Sequence, residues 1–152
     1  MKRTVAMKLK VPEEELKALI ELQTIFSQAC NFVADIASSA KEFNRVKLHH
    51  LSYYLLKQHY PQLGAQMSCN AIAKVSQAFQ ASKGRRKVTF KEGISVHFDK
   101  RTYSLKNNIL SARKFAGRFL KSAATASLWS SPLKSSVFSL QLSLAVKILP
   151  KL

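Results

Sequence analysis

Residues 65–105 read AQMSCNAIAKVSQAFQASKGRRKVTFKEGISVHFDKRTYSL. The first half has helical spacing, with Cys69, Ile72, Ala73, Ser76 and Phe79 on one face. Gly84 stops the helix, and Lys83-Gly84-Arg85-Arg86-Lys87 follows as a basic joint. The period then switches to two. Residues 87–91 and 94–98 read as paired strands around Glu92-Gly93, and residues 102–105 as a further strand. Asp99-Lys100-Arg101 and Lys106-Asn107-Asn108 read as turns. A helix passing directly into short alternating strands points to an α+β protein.

Outward from that stretch, residues 3–11 alternate Val5, Met7, Leu9 and Val11 with Thr4, Ala6, Lys8 and Lys10, as a strand does. Pro12 suits the first position of a helix, and Glu13, Glu14 and Glu15 suit its positive end. Leu16, Leu19, Ile20, Phe26, Cys30, Val33 and Ala37 keep helical spacing. Leu22, Ile25, Ala29, Phe32 and Ile36 widen the stripe, so a largely buried helix is expected to about Ala40. Asn44 caps a second helix with Val46, Leu48, Leu51, Leu55 and Gln58 on its inner side, and Pro61 ends it. The third helix runs from about Ala65 to Ser82. The predicted fold is a small antiparallel sheet or wedge-like barrel, interrupted by a three-helix insert at about residues 12–83. A poorly specified basic C-terminal tail follows.

The chain has 152 residues, enough for one domain with a core. Its 25 Lys and Arg face 8 Asp and Glu, a formal charge of +17. Solubility alone asks only about 2–8 of a small domain, so a polyanionic partner is expected: nucleic acid first, an anionic membrane surface second. The charge is uneven: residues 1–99 carry 15 Lys and Arg with all 8 acids, and residues 100–152 carry 10 with none. Residues 111–152 also hold 9 Ser and no Tyr, Asn, Cys or Met. The expected organisation is therefore an N-terminal region at 1–111 and a Ser-rich, acid-free tail at 112–152, frameshifted or otherwise non-native. Within the tail, residues 138–148 alternate strictly and read as a strand.

Cys30 and Cys69 form no CxxC and sit in helical, apolar contexts, which fits two buried thiols in a reduced, cytoplasmic protein. His49, His50, His59 and His97 have no structural-zinc spacing, and three of them lie on one helix surface. No GxSxG, phosphate-loop or dinucleotide motif is present, and neither cysteine has a base near it in sequence. Metal-dependent cleavage needs a set of carboxylates, and those here cap a helix or stand singly. No catalysis, metal, cofactor or small-molecule substrate is expected. The longest stretch free of Asp, Glu, Lys and Arg, residues 58–73, is too short to span a membrane and holds Pro61 and Gly64. The acids clustered at one end of the first helix weaken a membrane-surface role. The candidate nucleic-acid contacts are Lys83, Arg85, Arg86, Lys87, Lys91, Lys100, Arg101 and Tyr103. Flexible cations beside the aromatics Phe90, Phe98 and Tyr103 suit a phosphate backbone with bases free to stack, although Phe90 and Phe98 taken alone read as core.

An ordered set of residues carries a family resemblance. It begins with the strand at 3–11, Gln23, Ala29-Cys30-Asn31 and the helix at 51–54, followed by Tyr60, Leu63, Gln66, Ala71-Ile72-Ala73 and Val75. It continues with Lys83, Val88-Thr89-Phe90-Lys91, Ile94, Asp99, Arg101-Thr102-Tyr103-Ser104-Leu105 and Ile109. This set resembles the opening of the OrfB/TnpB-type insertion-sequence proteins over about residues 1–111, with Gly117-Arg118 as a last echo. The resemblance implies an RNA-guided DNA endonuclease family, whose N-terminal part is often catalogued as a transposase helix-turn-helix. It also implies a wedge-like barrel with an inserted helical recognition lobe, a RuvC-like acidic triad and, often, a zinc ribbon. This sequence departs from that pattern by having no acid after Asp99 and no CxxC pair. No catalytic residue carries over. The expectation is a truncated, transposon-derived protein that binds guide RNA, DNA or both without cutting. The alternatives are a free-standing basic RNA-binding module and a non-functional pseudogene product.

Overall fold

A computed structural model of the chain describes residues 8–10, 12–83, 88–99, 101–106, 109–115, 118–125 and 140–142. Strand β1 (Lys8–Lys10) precedes three helices, α1 (Glu13–Ala40), α2 (Arg45–His59) and α3 (Ala65–Ala81). Five strands follow: β2 (Val96–Phe98), β3 (Tyr103–Lys106), β4 (Ile109–Phe115), β5 (Arg118–Thr125) and β6 (Leu140–Leu142). The helices are the larger part of the described chain, and the strands are short.

Each helix begins and ends for a local reason. Pro12 occupies the N-cap of α1, one place before the first helical position expected for it, and the three glutamates fill the first turn. At its far end Lys41 takes a left-handed φ of 50°, and the Glu42 N–H reaches back to the Ala37 carbonyl at 3.1 Å. The Asn44 side chain accepts from the Val46 and Lys47 N–H groups, as its position predicts. Gly64 caps α3, which ends at Ala81.

The core lies among the helices and β2. Leu22, Phe26, Cys30 and Val33 of α1 meet Leu48 and Leu56 of α2, Met67, Ile72, Val75 and Phe79 of α3, and Val96 and Phe98. Phe43 stacks on Phe79 at 4.6 Å between ring centroids. Two expected faces need correction. Ile20 on α1 is exposed, and α2 turns Leu48, Ser52 and Leu56 inward. Val46, Leu51 and Leu55 are instead 64%, 47% and 42% exposed. Apolar residues line both sides of α2, so docking rather than pattern selects the buried side. On α3, Ile72, Ser76 and Phe79 are buried as expected. Cys69 and Ala73 are half-buried, and Met67, Asn70, Ala71 and Val75 complete the inner face.

The expected hairpin around Glu92-Gly93 does not form. Residues 88–91 are irregular, Lys87 lies outside the described residues, and β2 covers only Val96–Phe98. The reason is that side chains of α1 take the place of a strand partner. Asn31 Nδ2 donates to the Phe90 carbonyl at 2.9 Å, and the Phe90 N–H donates to Asn31 Oδ1 at 2.7 Å. Ser27 Oγ donates to the Lys91 carbonyl at 2.8 Å, and Gln23 Nε2 to the Gly93 and Ile94 carbonyls, each at 2.8 Å. Gln23, Ser27 and Asn31 are four residues apart, so they form one polar row on α1. From the other side, Lys74 Nζ reaches the Ser95 carbonyl at 2.8 Å, and Asn70 Nδ2 the His97 carbonyl at 3.1 Å.

β2 pairs antiparallel with β6, joining Val96 to Leu142 and Phe98 to Leu140. The other strands form a four-stranded antiparallel sheet in the order β1-β5-β4-β3. Lys106 pairs with Ile109, while the turn expected at Asn107 and Asn108 lies outside the described residues. Of the strands expected at 3–11 and 138–148, Lys8–Lys10 and Leu140–Leu142 are described. Strand β4 runs through Ser111, where the composition changes, and β5 sits between β1 and β4. Hydrogen exchange reads this directly. Amides of β5 should exchange as slowly as those of β3, because an inner strand pairs on both sides. Fast exchange throughout β5 beside slow exchange in α1 would instead place a boundary at Ser111.

Candidate nucleic-acid interface

The segment from Ser95 to Asp99 runs antiparallel to α3. Lys74 holds Ser95, Asn70 holds His97 and Gln66 Nε2 donates to Asp99 Oδ2 at 2.6 Å. This direction splits the expected basic patch. Lys83 follows the C-terminal end of α3 and is exposed with a left-handed φ of 52°, whereas Arg101 lies by the N-terminal end. At 1.5 Å per residue those ends are roughly 20–25 Å apart. Lys91 is exposed beside α1, with its carbonyl held by Ser27. Arg85, Arg86, Lys87 and Lys100 lie outside the described residues. Tyr103 is half-buried against the core and its phenol is pushed up by burial, so it is not a free stacking platform. Phe98 is buried and Phe90 packs against the core.

A tight turn positions Arg101. Asp99 Oδ1 accepts from the Arg101 N–H at 3.1 Å and from Thr102 Oγ1 at 3.0 Å, and the Thr102 N–H donates to the Asp99 carbonyl at 2.9 Å. Arg101 Nη1 donates to Gln66 Oε1 at 3.4 Å. Arg101 thereby meets Arg45, Val46 and His49 of α2 and Gln66, Cys69 and Ile72 of α3 around an open cleft of about 330 Å³. His49 Nε2 lies 3.6 Å from Cys69 Sγ, and the His49 ring stacks on Tyr53 at 4.8 Å. The cysteine thus has a neighbouring base in space that it lacks in sequence. Burial nevertheless pushes the Cys69 thiol up, as does Asp99, while Arg45 and Arg101 pull it down. Cys30 is fully buried, and burial pushes its thiol up to about 12.

Arg45, His49, Gln66 and Cys69 were not among the residues expected at an interface. They stand 56 to 32 positions before Arg101, and only the α2–α3 packing brings them to it. The Asn44 cap was the one legible hint, since it fixes where α2 starts and hence where Arg45 stands.

Lys10, Ala123, Ile109 and Lys106 form one row across the four-stranded sheet, and Lys121 pairs with Ser111.

Among the described residues no group of three or more His, Cys, Asp or Glu is arranged to hold a metal ion. Among them, too, no helix is long and apolar enough to cross a membrane. No protein-family model matches the chain, and no curated protein matches it.

His97 ties this region to pH. Its imidazole is held below its ordinary value by burial first and then by Lys74 and Arg45, against the opposing pull of Asp99. The unfolded chain therefore binds the proton more readily, with a pKa near 6.5. This contribution to stability is complete above about pH 6.5 and is lost as pH falls toward the lower folded value. Urea midpoints should drop between pH 7 and 5.5, and His97→Gln should flatten that drop. An unchanged slope in the variant would show that another group is responsible.

Proposed function

We propose that this chain binds nucleic acid through its phosphate backbone and does not cut it. The observation that carries this reading is the +17 charge, with no carboxylate after Asp99 to offset ten Lys and Arg. The Arg45–Arg101 cleft supports it, as it concentrates cations. The resemblance to the OrfB/TnpB-type proteins supports it too. In that reading the paired strands are the wedge-like barrel, the helices are the inserted recognition lobe, and the bound polymer is a guide RNA or its DNA.

Filter binding at graded salt tests the proposal. Log affinity should fall linearly with log salt, with a slope of about −0.7 per contacted phosphate on single strands and −0.9 on duplex. Replacing Arg85, Arg86 and Lys87 together by alanine should make the slope shallower by about 2 on single strands. Incubation with Mg²⁺ or Mn²⁺ should leave both RNA and DNA intact. Salt-independent binding would sink the proposal. So would metal-dependent cleavage that disappears when the chain's own acids are mutated. A preference for RNA unaffected by any DNA competitor would favour a free-standing RNA-binding module.

A further inference from the structure

The cleft between α2, α3 and the turn after β2 is built for an anion. Its wall holds two guanidinium groups, a carboxamide and an imidazole, and no carboxylate. Asp99, beside the cleft, is hydrogen-bonded on both oxygens: Oδ2 accepts from Gln66, and Oδ1 from the Arg101 N–H and Thr102 Oγ1. Gln66 in turn orients the Arg101 guanidinium. Among the described residues neither Arg45 nor Arg101 stands in an ion pair; the pairs there are Lys17–Glu13 and Lys47–Glu42. Two unneutralised guanidiniums across one cleft match the planar, two-pronged recognition of phosphate oxygens. The volume exceeds that of a bare anion and leaves room for an attached sugar.

We infer that this cleft seats one phosphodiester of a bound polynucleotide between Arg45 and Arg101. The inference rests on the nucleic-acid reading above and names a site for it. Seating a phosphate there covers the half-buried Cys69, whereas Cys30 stays buried in the core in either state.

The two cysteines make the test internal to the intact protein. Iodoacetamide alkylation at pH 8, followed peptide by peptide, should modify Cys69 and leave Cys30 untouched. A saturating 20-nucleotide poly(dT) strand should slow Cys69 alkylation about fivefold or more. Arg45→Ala with Arg101→Ala should abolish that protection. Arg45→Lys with Arg101→Lys, which keeps the charge and loses the fork, should weaken it in a protein whose thermal unfolding is unchanged. Binding of poly(dT) with its salt dependence intact but Cys69 alkylated at the free rate would overturn the cleft and leave the function standing. Protection by inorganic phosphate or pyrophosphate, with none by poly(dT), would overturn the polynucleotide as the source of the anion. Absence of any binding to poly(dT), RNA or duplex would bring down both readings.

Discussion

Phe98→Ala should cost about 3–5 kcal/mol, the usual range for deleting a buried phenyl ring. The side chain is 1% exposed and belongs to the cluster that joins all three helices to β2. Its strand pairs with β6 on one side, and Asn70 of α3 holds the neighbouring His97 carbonyl. A cavity here lies where few side chains can relax inward, because Val96 and Met67 are already buried. The total stability of a domain is about 5–15 kcal/mol, so the variant loses a large share of it. With a urea slope of about 1–3 kcal/mol/M, the midpoint should fall by roughly 2 M. A fall below about 0.5 M would mean that β2 does not dock on the helices as described.

Asn31→Ala should be nearly as damaging although it removes no apolar surface. One carboxamide satisfies both the N–H and the carbonyl of Phe90, as a neighbouring strand would. Truncation leaves the partly buried Phe90 N–H without a partner, at about 1–3 kcal/mol, and leaves its carbonyl only the long 3.4 Å contact from Ser27 Oγ. The effect should fall unevenly: exchange of the Phe90 amide should accelerate first, while amides within α1 remain slow. Asn31→Asp keeps the acceptor for the Phe90 N–H but sets a carboxylate oxygen against the Phe90 carbonyl, so at neutral pH it should recover less than half of the lost stability. If Asn31→Ala unfolds no more easily than an exposed substitution such as Gln28→Ala, the polar row is not what holds residues 90–94.

Both variants bear on what was legible beforehand. The three helices were, because their signals are local. Glutamates in the first turn of α1 and Asn44 before α2 act within four residues of themselves, and the apolar spacing of α1 repeats over about six turns. The change of period after Ser82 likewise pointed to strands. Residues 88–91 were misread as a strand because their alternation is real, whereas the turn at Glu92-Gly93 forms as expected. Their backbone partners, however, are side chains some 60–70 positions earlier, and no local pattern encodes that.

The same distinction runs through the candidate site. Charge is a property of composition, so the expectation of a polyanionic partner needed no coordinates. Where that charge is concentrated is decided by packing. Lys83 and Arg101 look close along the chain, yet the antiparallel course of residues 95–99 beside α3 carries them to opposite ends of that helix. Arg45 and Arg101 look unrelated, yet the α2–α3 packing and the Asp99 turn bring them to one cleft. By itself the sequence determined where the helices start, that a core exists and that the molecule is strongly basic, because caps, periodicity and net charge are short-range or summed properties. Only the tertiary structure decided which side of α2 is buried, what satisfies the backbone at 90–94 and which cations face one another. Each of these depends on burial and hydrogen bonding between segments distant in the chain.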